Sequence, residues 1–337
     1  MNEMTITIKE VAKAAGVAPS TVSRVIADHP SISEKTKQRV RAIMDELHYY
    51  PNYNARQLVN QRSKTVGIVL PEANDAFYQN PFFPTALRGI NEAASRHQYS
   101  LLLSTGDDDV SRLDHIKKMI YGKQVDGLIF LYATQNDPIL SFVIDEQFPF
   151  VIIGNIEGIP MNSIDNDNIR VAKEATEYLW QLGYHRIAFI GGDEKQQFIQ
   201  QRIKGVQQAL QVHHQPLSDA DIYNGFPFLE NEGYHIMKQI MKTNRYNGLV
   251  IGDQLVAQGV YHAILEYGLL DEYQIITFKP YEVYQNSDYI HYPYFNLHSQ
   301  QLADRAMEIL IEIISNKSDA KHERFVYELI AGDLVIP

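Results

Sequence analysis

The 337-residue sequence predicts a small all-α head followed by an α/β body of two doubly wound, parallel-sheet lobes. Three observations predict this fold class. In the first 50 residues, apolar side chains recur at helical spacing around a glycine turn. From Thr65 onward, short apolar runs alternate with amphipathic helical stretches, which is the pattern of repeated βα units. The length, with 45% hydrophobic residues, is enough for two or three compact units.

We expect three segments: residues 1–50 as a helical head, residues 51–64 as a hinge helix and linker, and residues 65–337 as a two-lobed body. Charge separates the segments as well. Residues 1–64 carry ten Lys/Arg and six Asp/Glu, whereas the rest of the chain carries twenty and thirty-five. A basic head on an acidic body is typical of a protein that contacts DNA through the head and limits non-specific binding by the body.

The composition also bears on location. The chain has no cysteine, which excludes disulfides and thiol chemistry and fits a reducing compartment. No apolar signal core stands at the N-terminus, and no apolar run is long enough to cross a bilayer. We therefore expect a cytoplasmic protein with no membrane partner.

The first helix is expected to begin at Thr7, because Thr7 is a good N-cap and Glu10, three residues later, completes a capping box. A single apolar stripe follows, made of Ile8, Val11, Ala12 and Ala15. Gly16 then supplies the permissive backbone that a tight turn between helices needs.

The second helix opens at Pro19, a residue that is tolerated in a first helical turn. Val22, Val25 and Ile26 form its buried side, so Ser20, Thr21, Ser23 and Arg24 face outward. Hydroxyls and one guanidinium suit a major groove, where they bind phosphates and base edges. With a third helix capped at Ser33, the pattern predicts a helix-turn-helix; the alternative is a small helical bundle with a solvated face.

Pro51 stops the third helix, and Asn52 is placed to cap a short new helix through Ala55, Arg56 and Leu58. A helix of this length is marginal alone in water, so we expect it to order only against a partner helix and DNA. The alternative interpretation is an ordinary linker.

The body contains two series of βα units. The first has strands in TVGIVLP, SLLLS, DGLIFLY and FPFVIIGN, with helices near Phe82–His97 and Ser111–Tyr121. The second begins after Asn168 and has strands in RIAFIGG, GLVIG and QIITF, and its last helix is expected at His298–Ile314. Ligands of open α/β sheets bind outside the carboxyl ends of the strands, so two such lobes predict a cleft between them.

The head, the hinge sequence YYPNYNARQL and the two-lobed body together resemble the lac repressor family over essentially the whole chain. Three stretches, DAFYQNPFFPTALRG, YGKQVDGLIFLY and the run from Asp165 to Asn168, are similar to maltose operon repressors of Gram-positive bacteria. The resemblance implies a periplasmic-binding-protein-type body and a homodimer on a pseudo-palindromic operator in double-stranded DNA.

The resemblance also implies roles in the head. Pro19, Ser20 and Arg24 match positions that read bases, Thr21 and Ser23 match positions that hold phosphate, and Leu58 matches an apolar wedge in the minor groove. Ala18 departs from the usual Ser, which removes a helix cap. The expected DNA-binding set is Thr7, Pro19, Ser20, Thr21, Ser23, Arg24, Asn52, Ala55, Arg56 and Leu58.

In the cleft, Arg202 matches the family's effector-binding arginine, whose fork of donors suits neighbouring sugar hydroxyls. Asp165 and Asp167 compete for one carboxylate position, and the residues do not choose between them. Gly252 and Lys279 depart from the polar residues usual at their positions. The expected effector-binding set, including aromatic walls for a sugar face, is Tyr78, Phe82, Phe83, Tyr132, Asp165, Asp167, Arg202, Phe226, Asp253 and Lys279.

Enzyme interpretations find little support. Gly191-Gly192 lacks the spacing of a nucleotide-binding loop, and no nucleophile motif occurs. Asp107 to Asp109 are consecutive and do not converge on a metal, and His213-His214 lacks further zinc ligands. We expect no cofactor and no metal. The sequence therefore predicts a repressor of maltose or maltodextrin genes that a neutral sugar releases from DNA; the alternatives are a cytoplasmic sugar-binding protein without a DNA role and a sugar-modifying enzyme.

Overall fold

The computed structural model describes residues 6–50, 62–71, 78–106, 108–132, 134–156, 158–279, 292–316, 327–330 and 333–336. The chain divides into two compact units, Met1–Ser63 and Lys64–Pro337. The hinge residues Asn52, Ala55, Arg56 and Leu58 lie outside the described residues, as does the predicted hinge helix. None of the helices in the described ranges is long and apolar enough to cross a membrane.

The described residues of the first unit form three helices, α1 (Ile8–Ala15), α2 (Pro19–Ile26) and α3 (Glu34–Glu46). The turn after α1 is made at Gly16, whose φ of 63° lies in the left-handed region that favours glycine. The three helices share one core, formed by the side chains of Val11, Ala12, Ala15, Val22, Val25 and Val40. The predicted helical head is confirmed.

Local side-chain bonds set the ends of these helices. The Thr7 backbone N–H donates to Glu10 Oε2 at 2.6 Å, and Ser33 Oγ accepts from the Thr36 N–H at 3.3 Å. Ala18 stands at the N-cap of α2 without a side-chain bond. Lys37 is buried and contacts Asp28 at 2.9 Å, so the loop after α2 is tied to α3.

The second unit is built on two six-stranded sheets covered by helices. Sheet 1 is parallel, with strand order β11-β5-β4-β3-β1-β2. Its strands are β1 (Thr65–Val69), β2 (Ser100–Ser104), β3 (Gly127–Phe130), β4 (Phe150–Ile153), β5 (Ser163–Asn166) and β11 (Tyr327–Ile330). The helices of this part of the chain are α4 (Phe82–Arg96), α5 (Asp109–Tyr121) and α6 (Pro138–Asp145).

Sheet 2 has strand order β12-β10-β9-β8-β6-β7, and only the β10–β12 pairing is antiparallel among the described strands. Its strands are β6 (Ile187–Gly192), β7 (Ile222–Asn224), β8 (Gly248–Ile251), β9 (Gln274–Lys279), β10 (Tyr294–Asn296) and β12 (Asp333–Val335). The remaining helices are α7 (Asn168–Gln181), α8 (Gln197–Val212), α9 (Glu230–Thr243), α10 (Gln254–Glu266) and α11 (Ser299–Asn316). The predicted α/β body of two parallel-sheet lobes is confirmed.

The last helix corrects the sequence interpretation. We expected it in the second lobe, but Leu302, Ala306 and Leu310 of α11 share the core of sheet 1 with Val66 and Ile90. The chain therefore returns to the first lobe after β10. Helical periodicity shows which face of a helix is buried, but not which sheet that face packs against. The sequence alone therefore could not assign α11 to sheet 1.

Candidate functional site

A cleft of about 520 Å³ lies in the second unit, between the carboxyl ends of strands of both sheets. On the sheet 1 side, Tyr132 follows β3 and Asp165 belongs to β5. On the sheet 2 side, Asp193 follows β6 and Asp253 follows β8. The volume is in the range of small-molecule sites, and the cleft lies where the sequence predicts a ligand site.

Arg202, on α8, is 5% exposed and forms the centre of the polar part of the cleft. Its Nη1 donates to the Gly252 carbonyl at 2.6 Å, while its Nε and Nη2 donate to Asn168 Oδ1 at 3.1 and 2.9 Å. The guanidinium carbon lies 4.3 Å from the ring centroid of Phe278. Arg202 is therefore a buried cleft residue and not a surface arginine.

Two carboxyl groups accompany this arginine. Asp165 accepts from its neighbour's backbone N–H at 2.7 Å and from Asn168 Nδ2 at 3.2 Å. Burial raises the pKa of Asp165 to about 7, against the opposing effects of those bonds and of Arg202. Burial also raises the pKa of Asp253, whose Oδ1 caps α10 by accepting two backbone N–H groups. Burial lowers the pKa of Arg202 to about 10.

Aromatic side chains form much of the wall. Phe82 and Phe83, at the start of α4, pack edge to face with centroids 5.3 Å apart. Tyr132 lines the same cleft, and its hydroxyl accepts from Arg112 Nη2. Burial raises the pKa of the Tyr132 phenol. The wall also contains Phe226, so four of the predicted aromatic residues line the cleft.

The described cleft lining does not include three of the predicted effector residues. Tyr78 is 70% exposed beside the start of α4. Asp167 caps α7 by accepting the Arg170 N–H at 3.1 Å, so Asp165 is the carboxylate that faces the cleft. Lys279 is 2% exposed, and its Nζ lies 4.5 and 4.9 Å from the ring centroids of Tyr294 and Tyr292. Burial lowers the Lys279 pKa to about 8.

The departure at Gly252 has a packing explanation. A Cβ at this position would lie 2.9 Å from Ile199 Cδ1 and 3.0 Å from the Gly191 carbonyl oxygen, closer than nearly all real Cβ contacts. The glycine therefore leaves room for α8 and presents its carbonyl to Arg202. A glycine has no side chain to contact a ligand hydroxyl. Its polar group at this position is the backbone carbonyl, which accepts the hydrogen bond from Arg202.

Sequence reasoning missed several lining residues. Asn168 orients Arg202 by accepting two of its hydrogen bonds, but in the stretch from Asp165 to Asn168 only the two aspartates were predicted to contact the effector. Phe278 ends a strand that was predicted, yet nothing in the run QIITF shows which side chain faces the cleft. Phe198 also lines the cleft and stacks on Phe228, with centroids 5.8 Å apart. Its placement depends on a helix start for which the sequence offered no periodic signal.

The predicted DNA-recognition face of the head lies on α2 of the first unit. Pro19, Ser20, Ser23 and Arg24 are exposed on α2, and Thr21 is half-buried. Thr7 is exposed immediately before α1. The helix therefore presents one guanidinium and two exposed hydroxyls on a single element, which is chemistry that binds phosphates and base edges.

Comparison with known families gives two matches. The family model described as "Bacterial regulatory proteins, lacI family" matches residues 7–52. The one described as "Periplasmic binding proteins and sugar binding domain of LacI family" matches residues 63–325. Together the two matches cover both units of the chain.

Individual proteins are similar to this chain over most of its length. The HTH-type transcriptional regulator MalR of Streptococcus pneumoniae is 42% identical over 319 residues, which are 94% of this chain and 95% of that protein. Catabolite control protein A of Staphylococcus xylosus is 31% identical and covers 82% of this chain and 83% of its own. Among solved structures, the lac repressor dimer bound to operator and an anti-inducer matches with a TM-score of 0.79, 22% identity and 98% coverage of both chains.

Proposed function

The chain belongs to the lacI family of bacterial regulatory proteins, and we propose that it represses maltose or maltodextrin utilisation genes and leaves its operator when a neutral sugar of that class binds. It is a sugar-responsive, DNA-binding transcriptional repressor and not an enzyme. We also propose that the sugar binds in the cleft around Arg202, that the protein is cytoplasmic, and that it acts as a two-fold dimer.

The composition of the cleft is the observation that carries the sugar assignment. Among the described residues, its lining contains four acids, Asp165, Asp193, Glu194 and Asp253, and two bases, Lys195 and Arg202. The Arg202 guanidinium already donates to Asn168 and Gly252. A phosphate would lie among more acids than bases. A sugar can donate its hydroxyls to these acids and stack the C–H face of its ring on the phenylalanines. This favours a neutral sugar, and the name of the 42% identical relative favours a maltose-type one.

DNA binding is proposed to use α2 of two heads. Arg24 supplies bidentate donors for a guanine, and Ser20 and Ser23 supply hydroxyls for phosphate or base edges. A two-fold dimer would place one such helix in each half of a pseudo-palindromic operator. The hinge residues from Asn52 to Leu58 are proposed to add a minor-groove contact between the half-sites.

A screen of ligands against a labelled operator complex tests the proposal. Maltose, maltotriose, glucose and a sugar phosphate are titrated into the complex while release is followed by fluorescence anisotropy. We expect maltose or maltotriose to release the DNA and the phosphate to have no effect. Release by a phosphorylated sugar alone would overturn the effector assignment.

Salt separates a repressor from a sugar-binding protein that lacks a DNA role. Operator affinity should fall steeply as ionic strength rises, because each phosphate contact releases counterions. The same titration on random DNA gives the non-specific component. Equal affinity for operator and random DNA at all salt concentrations would argue against sequence-specific repression.

A further inference from the structure

Arg112 is a buried arginine of α5 that lies behind the sheet 1 wall of the cleft. Its side chain is 6% exposed, and it is not part of the described cleft lining. Its Nη1 donates to Asp109 Oδ1 at 2.9 Å, and its Nη2 donates to the Leu70 carbonyl at 3.0 Å and to the Tyr132 hydroxyl. Leu70 follows β1 and Tyr132 follows the neighbouring β3, so one guanidinium joins two strand ends at the cleft.

The Tyr132 hydroxyl is engaged on both sides. It accepts from Arg112 and is hydrogen-bonded to Asp137, which caps α6. Burial, and then the neighbouring Asp137, raise the pKa of the phenol, as expected when its O–H donates to that carboxyl. A phenol has one O–H to donate, and this bond uses it. Arg112 and Asp137 are both buried, so the hydroxyl lies at the buried end of the side chain.

The ring of Tyr132 is therefore the part of the side chain that can reach the cleft, which the half-buried Tyr132 lines. The Arg112 guanidinium carbon lies 5.0 Å from the centroid of this ring. The Phe130 ring packs against it edge to face, with centroids 6.0 Å apart. A ring that is already held in place loses less conformational freedom when a ligand binds, which favours affinity.

We propose that Arg112 is a positioning residue of the sugar site: by donating to the Tyr132 hydroxyl, it fixes the Tyr132 ring in the sheet 1 wall of the cleft. This inference rests on the proposed function and assigns a role within that site. Arg112 acts through Tyr132 and does not touch the sugar, and Tyr132 offers the sugar its ring and not its hydroxyl. The charge of Arg112 is paired with Asp109 and so makes no demand for an anionic ligand.

A double-mutant cycle tests whether the effect of Arg112 passes through the Tyr132 hydroxyl. Arg112→Met removes the donor, and Tyr132→Phe removes the hydroxyl but keeps the ring. Each substitution should raise the Kd for maltose about fivefold, the factor that corresponds to one hydrogen bond of about 1 kcal/mol. The double variant should bind about fivefold more weakly than the wild type and not about 25-fold, because either substitution alone breaks the same bond.

Arg112→Lys is a second variant, needed because methionine leaves Asp109 without its ion-pair partner and the Leu70 carbonyl without its donor. Lysine keeps the charge but lacks the planar fork, so it cannot reach Leu70 and Tyr132 together. Its Kd for maltose should lie between those of the wild type and Arg112→Met. In a protein that already carries Tyr132→Phe, the lysine substitution should leave the Kd unchanged.

The chain offers a matched control, an arginine–tyrosine–aspartate group outside the described cleft lining. The Tyr246 hydroxyl donates to Asp221 Oδ1 at 2.9 Å, and Arg245 Nη2 lies 2.9 Å from the same oxygen. The Arg245 guanidinium carbon lies 5.4 Å from the Tyr246 ring centroid. Arg245→Met and Tyr246→Phe break a group of the same chemistry, and each should bind maltose with the wild-type Kd.

Maltose and maltotriose binding is measured by calorimetry, and stability by thermal unfolding without sugar, all on the full chain. An unchanged Kd in the Arg112 variant that folds, whatever its melting temperature, would assign Arg112 to the fold alone and overturn the inference. An effect of either Arg112 substitution that persists in full beside Tyr132→Phe would overturn it as well, because that effect would not pass through the hydroxyl. A wild-type protein that binds neither sugar would overturn the proposed effector together with this role, and the first titration identifies that case before any variant is compared.

Discussion

Replacing Arg202 should separate sugar response from DNA binding. Arg202→Ala removes three hydrogen bonds to Asn168 and Gly252 and leaves Asp165 and Asp253 without the cation beside them. Breaking a buried charged network in this way costs about 3–5 kcal/mol. The alanine variant is therefore expected to lose stability as well as sugar binding, which makes it hard to interpret alone.

Arg202→Lys is the more informative variant. Lysine keeps the positive charge near Asp165 but cannot reproduce the planar fork that engages Asn168 and Gly252 together. Loss of about two charge-assisted bonds, near 3 kcal/mol in sum, lowers the stability of the protein. Sugar binding should weaken as well, because Asn168 and the Gly252 carbonyl are no longer held in place by the fork. Operator affinity without sugar should stay within about twofold of the wild type, because Arg202 belongs to the second unit and the recognition helix to the first.

The assay is an operator-binding titration at rising maltose concentration, combined with thermal unfolding of each variant. The lysine variant should remain on the operator at sugar concentrations that release the wild type, and would therefore repress constitutively. Release at wild-type concentrations would show that Arg202 takes no part in the response. Loss of operator binding without sugar, in a folded variant, would show that the residue supports the DNA-binding state itself.

Three further substitutions test the site and the head. Asp165→Asn should stabilise the protein more at pH 8 than at pH 5. Burial raises the Asp165 pKa from 3.8 to about 7, so between these pH values the carboxyl ionises more readily in the unfolded chain and stability falls as pH rises. Melting curves of both proteins at pH 5 and pH 8 measure this. Arg24→Ala should weaken operator binding by about 1–3 kcal/mol and relax discrimination at one base pair in each half-site, as read by anisotropy with mutated operators. Gly192→Ala should lower both stability and sugar affinity, since the glycine has a φ of 107° and a Cβ there would overlap the Phe228 ring; unchanged melting and calorimetry would contradict this.

Much of the fold follows from local sequence signals. The head helices were predictable because each carries its own terminus signal: Thr7 with Glu10, Pro19, and Ser33. The central strands were predictable because they are continuous apolar runs. By contrast, polar side chains interrupt the apolar pattern of β5 and β7. Their strand pairing depends on neighbours that are distant in sequence.

The candidate site was less predictable than the fold. Arg202 and Asp253 were found because the family resemblance marks their positions, and both line the cleft. For Lys279, sequence position gives the strand end but not the direction of the side chain, which here lies against the rings of Tyr292 and Tyr294.

The arrangement of the cleft limits how a sugar can act on the operator. Residues from both lobes line it, Tyr132 from one and Arg202 from the other, and Thr134 pairs with Gln196 in an isolated antiparallel bridge that joins a loop of each lobe. A sugar that contacts both walls changes the relative stability of two lobe arrangements only by the difference in its affinity for them. For a coupling of about 1–3 kcal/mol, operator affinity changes about 5- to 150-fold. A substitution of Thr134, which is not part of the described cleft lining, would alter this difference without removing a lining side chain, so response and affinity can change independently.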